Sequence, residues 1–222
     1  MILSKGFAKN FSQIASNWGL FVILSITIFI LPILSTVIPY RLFEVFLSLI
    51  VLLSVYATRE DRKKRAMVQL GIAILAIWVT RVIDMEGLNF LAKTLLILFF
   101  MVRVFKFILA VSRKSDVNSL VIVEAINGYL LMGIGFGVLF SLVLAVFPGS
   151  FNFTVSVTGN DYFDPIYYAF VSMTTLGYGD LLPLNPFAKS MALLVTLCGQ
   201  FYLVTVMAFL IGKLLTQKHE KA

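Results

Sequence analysis

Cysteine, histidine and charge are all scarce in this chain. One cysteine, Cys198, and one histidine, His219, stand among 222 residues. A single thiol excludes an internal disulfide. No nucleophile, base and metal-ligand set converges anywhere, so an enzyme finds no support and no cofactor or small-molecule substrate is expected. His219 lies in a charged terminal stretch and reads as a solvated residue. Charged residues make up 13% of the chain against 60% hydrophobic, with a mean hydropathy of +0.98. A soluble domain of this length cannot hide that much apolar surface, so composition indicates an integral membrane protein in contact with lipid. The net charge of +7 gathers at the ends of apolar runs, which suits membrane topology better than nucleic acid. The run Gly133-Ile134-Gly135-Phe136-Gly137 is not a nucleotide motif, because it sits inside an apolar stretch with no preceding strand.

What is abundant is long apolar sequence. Six spans are expected, at residues 18–38, 42–58, 66–83, 88–112, 122–147 and 188–213. Each needs about 20 residues to cross the hydrocarbon as a helix, and the second and third are short and charge-flanked. The first is too long for a cleaved signal peptide and lacks a cleavage site. Residues 165–174 form a helix-like stretch too short to span, which reads as a re-entrant segment surrounded by protein or facing water. Ahead of the first span, Phe7, Phe11, Ile14 and Trp18 fall at spacings of four, three and four. That places them on one helical face and suggests a short interfacial helix, with a frayed tail as the alternative.

Charge placement orients the spans. Lys5 and Lys9, the loop containing Arg59, Arg62, Lys63, Lys64 and Arg65, the pair Arg113 and Lys114, and the closing Lys213, Lys218 and Lys221 all fall on one side. The positive-inside rule makes that side cytoplasmic and puts both termini there. Asp84, Glu86, Asp161, Asp164 and Asp180 fall on the other side, with Arg41 and Lys189 as exceptions. The Asn152-Phe153-Thr154 sequon also faces outward and matters only in a host that glycosylates. The expected location is the plasma (cell inner) membrane.

One run between the last two spans carries chemistry: Thr174-Thr175-Leu176-Gly177-Tyr178-Gly179-Asp180. A dehydrated monovalent cation needs oxygens in place of its water. Backbone carbonyls supply them only if successive peptides aim at one axis, which requires ordinary and positive φ to alternate, and glycine reaches positive φ without steric cost. Gly177 and Gly179 sit at alternate positions, and Thr175 adds a hydroxyl oxygen at the inner end. Tyr178 points away from the axis and Asp180 ends the run at its mouth. The alternative is a turn built by chance from residues that favour turns.

The run resembles the selectivity filter of potassium channels, whose usual core is Thr-Val-Gly-Tyr-Gly. The resemblance implies that carbonyls of Thr175, Leu176, Gly177, Tyr178 and Gly179 hold permeant K+. Leu176 departs from the commoner valine, altering the packing behind the filter. Tyr167-Tyr168-Ala169-Phe170-Val171-Ser172-Met173-Thr174-Thr175 looks like the pore helix of six-span potassium channels. Its tyrosines stand where tryptophans are common, and the resemblance gives them a place in an aromatic cuff around Tyr178. Tyr167, Tyr168, Val171 and Thr174 are thereby expected to support the filter. Some of these channels carry, at the position of Val171, a glutamate paired with the filter aspartate, and that pairing is absent here. Asp164-Pro165 is a good helix start, with Asp as N-cap, and the helix aims its partial negative end at the filter. Gly199, twenty residues after Gly179, matches the position of a hinge glycine in the inner helix, with simple close packing as the alternative. Thr205, Ala208 and Gly212 are expected beyond it along the inner pore. Gly133 and Gly137 form a small-xxx-small pattern for close packing.

One strand cannot surround an ion, and the chain holds one copy of the motif, so a homotetramer is expected. The expected domains are residues 1–17 as an N-terminal segment, 18–115 as a four-helix peripheral bundle, 116–215 as the pore domain and 216–222 as a tail. The fold class is an all-α membrane protein of six spans plus a re-entrant pore helix and filter. Voltage sensing needs about three to four charges at regular spacing along one helix. The fourth span offers Lys93, Arg103 and Lys106, of which only Arg103 and Lys106 keep a three-residue step before Leu109 and Ser112. Glu44 and Asp84 are candidate countercharges, Arg81 with Asp84 a local pair, and Glu124 a partner for basic residues below the fourth span. Strong voltage sensing is not expected. Nor is control by a domain following the last span. The alternatives to a potassium-selective channel are a weakly selective cation channel, a voltage-gated one with a reduced charge set, a potassium-uptake transporter subunit and a non-conducting subunit.

Overall fold

The computed structural model describes residues 2–34, 41–58, 63–82, 86–113, 117–152 and 163–220. It is all helical among these residues, apart from one isolated antiparallel bridge, Phe151 to Pro183. The helices are α1 (Ile2–Ser25), a π-helical turn (Ile26–Ile30), α2 (Leu31–Leu34), α3 (Arg41–Ala57), α4 (Lys63–Val82), α5 (Glu86–Arg113), α6 (Ser119–Val146), α7 (Phe163–Met173) and α8 (Pro186–Glu220). The π turn has a local cause. Pro32 lacks an N–H and crowds the carbonyl four residues back, and the ladder widens just ahead of it, with Leu31 N bonding Ile26 O.

Among the described residues four helices are long and apolar enough to cross a membrane: Gln13–Leu34, Phe90–Arg113, Ser119–Val146 and Pro186–Gln217. The second and third expected spans are helical, but their apolar stretches, Leu42–Ala57 and Val68–Trp78, are shorter. A second difference lies at the N-terminus. No break separates residues 1–17 from the first span, since α1 runs through that boundary from Ile2 to Ser25. Polar contacts in the middle of α1 explain why: Gln13 Nε2 donates to Glu124 Oε1 of α6 at 3.1 Å, and the main-chain oxygen of Asn17 accepts from Asn127 Nδ2 of α6 at 2.9 Å. Burial makes such bonds obligatory, so they draw this part of α1 against α6. At the other end α8 continues past residue 215 without interruption.

Helix α6 is the centre of the fold. Asn118 caps it, its Oδ1 accepting from Val121 N at 3.1 Å. Apart from Glu124, Asn127 and Ser141 its buried residues are apolar or glycine and are spread around the helix, and it packs against α1, α5, α7 and α8. Small residues set its closest approaches. A Cβ on Gly137 would lie 2.9 Å from Ile166 Cα, and one on Gly133 would enter the Phe170 ring, so α7 beds directly on the α6 backbone. Asn185 starts α8, accepting from Ala188 N at 2.8 Å, with Pro186 in the first helical position. Near the far end of α8, Lys213 Nζ donates to Val111 O and Ser112 O, satisfying final carbonyls of α5.

The peripheral helices enclose one guanidinium. Arg103 is fully buried, with Nη1 donating to Thr58 Oγ1 at 2.9 Å and Nη2 to Gln69 Oε1 at 2.6 Å. Its charge lies 5.1 Å from the centre of the Phe99 ring. Arg103 therefore ties α5 to the end of α3 and to α4. Lys93 Nζ donates to Ser141 Oγ at 3.0 Å, bridging α5 to α6. Lys106 is half-buried and Glu44 buried. Asp84 and Lys114 lie outside the described residues, as does the Arg81–Asp84 pairing.

Candidate functional site

The site is built at the end of a helix that cannot cross a membrane. Helix α7 holds 11 residues, or about 16 Å at the usual rise. It begins at Phe163, so Asp164 sits in its first turn rather than before it as the cap. A carboxylate there still faces the positive end of the helix. Burial pushes its pKa up.

Beyond Met173 the chain leaves the helix and its backbone alternates. Thr175 has φ +57°, Gly177 +56° and Gly179 +83°, with Leu176 and Tyr178 at ordinary negative values. This is the alternation that turns successive carbonyls to one side of a strand. The glycines reach it freely, whereas Thr175 is β-branched and strained there, at a cost of about 1–3 kcal/mol. Sequence reasoning gave positive φ to the glycines and missed Thr175. The signal was the same two-residue step carried one place further back.

The end of α7 anchors the strand. Thr174 N donates to Phe170 O at 2.9 Å and Thr175 N to Ser172 O at 3.0 Å. Val171 O accepts from both Leu176 N at 3.0 Å and Gly177 N at 3.4 Å. Val171 thus acts through its carbonyl, one that the helix end would otherwise leave without a partner. Thr174 Oγ1 folds back onto Phe170 O at 2.7 Å. From α8, Gln200 Nε2 donates to Met173 O at 3.0 Å. The neighbouring Gly199 permits that approach, because a Cβ there would lie 2.7 Å from Met173 O and 2.9 Å from its Cα. The contact with the α7 terminus gives Gly199 a packing reason, and α8 runs unbroken through it.

The Asp180 end is held by side chains. Tyr167 Oη donates to Asp180 Oδ2 at 2.7 Å. That bond holds the Asp180 carboxyl below its usual range and raises the Tyr167 phenol to about 12. Asn152, the asparagine of the sequon whose other residues lie outside the described ones, donates from Nδ2 to Asp180 O at 3.1 Å. The two tyrosines divide their work. Tyr168 is buried, with ring centres 4.9 Å from Phe140 and 5.3 Å from Phe151, so it anchors α7 to α6 while Tyr167 reaches the strand's end. Gln200 and Asn185 were not singled out in the sequence, and Asn152 only as the first residue of a sequon. Only Asn185, as an Asn-Pro helix start, carried a local signal.

Residues 174–180 are all exposed on the single chain, including Leu176 and Tyr178. So is much of α8: Leu193, Leu197, Phe201 and Val204 repeat at helical spacing, and Thr205, Ala208 and Gly212 are exposed as well. A stripe of this kind on a membrane-crossing helix faces either lipid or another chain.

Residues 138–217 match a family model described as "Ion channel". The matched stretch runs from the second half of α6 through α7 and the glycine strand to the end of α8, so the chain carries an ion-channel module in a membrane protein. No curated protein and no solved structure matches the chain.

Proposed function

We propose that this protein is a potassium-selective channel that lets K+ run down its gradient through residues 175–180. The observation that carries the reading is the sign alternation at Thr175, Gly177 and Gly179, within Thr-Leu-Gly-Tyr-Gly-Asp, at the carbonyl end of a re-entrant helix. Carbonyls of Thr175, Leu176, Gly177, Tyr178 and Gly179 replace the hydration shell of the ion, with the Thr175 hydroxyl at the inner end. The partial negative end of α7 favours a cation below the strand. Asp180 marks the outer mouth, and both termini are cytoplasmic, in the plasma membrane.

Four chains about one axis form the pore, because one strand offers only one side of the cage. The exposed stripe on α8 and the uncovered strand are the surfaces that this homotetramer buries. Gly199 serves as the hinge of α8 in gating, starting from the packed position against Met173. The peripheral helices carry too few regularly spaced charges for steep voltage gating, since only Arg103 and Lys106 keep a three-residue step and Arg103 is enclosed where α3, α4 and α5 meet. Purified protein in liposomes loaded with either K+ or Na+ and diluted into a buffer of a large impermeant organic cation tests the reading. With a protonophore present, K+ efflux should drive proton uptake, and Na+-loaded liposomes diluted into the same buffer should stay silent. Equal uptake from both fillings would favour a weakly selective cation channel.

A further inference from the structure

The chain that follows α6 comes back against the exit of the filter. Ser150, Phe151 and Asn152 run antiparallel to Leu182, Pro183 and Leu184, with Leu184 N donating to Ser150 O at 2.7 Å and Asn152 N to Leu182 O at 3.0 Å. Phe151 pairs with Pro183. That is the position of an antiparallel pair that exchanges no hydrogen bonds, so proline costs the ladder nothing there. Phe151 is only 3% exposed, its ring 5.5 Å from Phe140 and 5.3 Å from Tyr168 between centres. Successive side chains of an extended segment point opposite ways, so burying Phe151 turns Asn152 toward the filter exit. There its Nδ2 donates to Asp180 O at 3.1 Å and its Oδ1 accepts from Leu182 N at 2.6 Å. The carboxamide bonds the main chain as another peptide group of the ladder would.

We propose that Asn152 is a positioning residue for conduction, holding the filter main chain at Asp180 and Leu182 so that the outermost carbonyls keep their geometry when few K+ ions are present. The proposal rests on the reading of residues 175–180 as a potassium filter. Carbonyl oxygens gathered about one axis repel each other unless a cation lies between them. Gly179, at φ +83°, has no side chain to brace it and the most freedom to turn away. Tyr167 secures the carboxylate of Asp180, but Asn152 bonds the carbonyl that directly follows Gly179. The two restraints reach the same residue from separate elements, one from α7 and one from the segment after α6.

The test uses the full chain in lipid nanodiscs and bilayers, comparing wild type with Asn152→Ala, which removes both arms, and Asn152→Asp, which keeps the acceptor but cannot donate to Asp180 O. Amide exchange at Leu182 should quicken by about tenfold in Asn152→Ala and much less in Asn152→Asp. The external K+ needed to sustain half of the steady current should rise by about threefold or more in both variants, and saturating K+ should restore the current. An asparagine that only supports the fold would lower yield or unfolding temperature and leave that K+ requirement unchanged, which overturns the proposal. Unaltered Leu182 exchange in Asn152→Ala overturns it as well. If Asn152→Ala does not assemble, the K+ requirement of Asn152→Asp decides alone, and an unchanged value is a refutation. A wild type that passes Na+ as readily as K+ removes the potassium reading, and the Leu182 exchange rates then still decide whether the clamp exists.

Discussion

The two halves of this chain handle buried polarity in opposite ways. In the peripheral helices charged side chains are enclosed, Glu44 on α3 and, bonded to Thr58 and Gln69, Arg103 on α5. In the segment from α6 to α8 the polar groups that matter belong to the backbone, and neighbouring atoms hold them in place: Val171 O under Leu176 and Gly177, Asn152 on Asp180 and Leu182, Gln200 on Met173. A fixed internal charge locks helices together, whereas fixed carbonyls leave oxygen free for something that passes. The first half therefore reads as scaffold and the second as the conducting part.

The sharpest way to break this comparison is Gly177→Ala. A Cβ at φ +56° is strained by about 1–2 kcal/mol, even though nothing stands within 4 Å of its position. Within one chain, the loss therefore comes from the backbone and not from crowding. Potassium selectivity should be lost while the helical content stays unchanged, as judged by ion-substitution currents and circular dichroism. Unchanged selectivity would remove residues 175–180 from the conduction path.

Tyr167→Phe should have a smaller effect, one that pH reveals. The Tyr167 hydrogen bond lowers the Asp180 pKa, so its contribution is full above the usual carboxylate range and lost as pH falls through the depressed value. Without the phenol the carboxyl takes up its proton at higher pH. Current measured against external pH should thus lose its acid-sensitive part at a higher pH in Tyr167→Phe than in wild type. Coincident curves would mean that the Tyr167–Asp180 bond has no part in the outer mouth. Tyr167 itself, near 12, stays protonated across the same range.

Arg103→Met should change conduction least. It leaves Thr58 and Gln69 without their buried donor at a cost of about 1–3 kcal/mol, seen as a lower unfolding temperature, with the ratio of K+ to Na+ permeability unaltered. A changed ratio would show that the bundle reaches into the filter and that the two halves are not separate in function.

The legibility of the sequence follows the same division. The glycine strand was readable because positive φ is a local demand that glycine meets, as at Gly177 and Gly179, and the short helix because its apolar run is brief, although its start lies ahead of the Asp164-Pro165 pair. The long apolar helices were readable by length. Long-range satisfaction of polar atoms was not. Nothing local to Asn152, Gln200 or Gln13 says which backbone or carboxylate each will meet, since those partners lie 28, 27 and 111 residues away. The continuity of α1 was missed for that reason, as Gln13 and Asn17 bind α6 where the sequence suggested a separate surface helix. Gly199 illustrates a third case. One sequence cannot distinguish a helix that bends there from a helix approached closely at Met173.

The central claim is that residues 175–180 select potassium, and the reversal potential across a planar bilayer tests it most directly. With K+ on one side and Na+ on the other, the account predicts a reversal potential that follows the potassium gradient, together with a shallow dependence of conductance on voltage. A reversal near zero would contradict it.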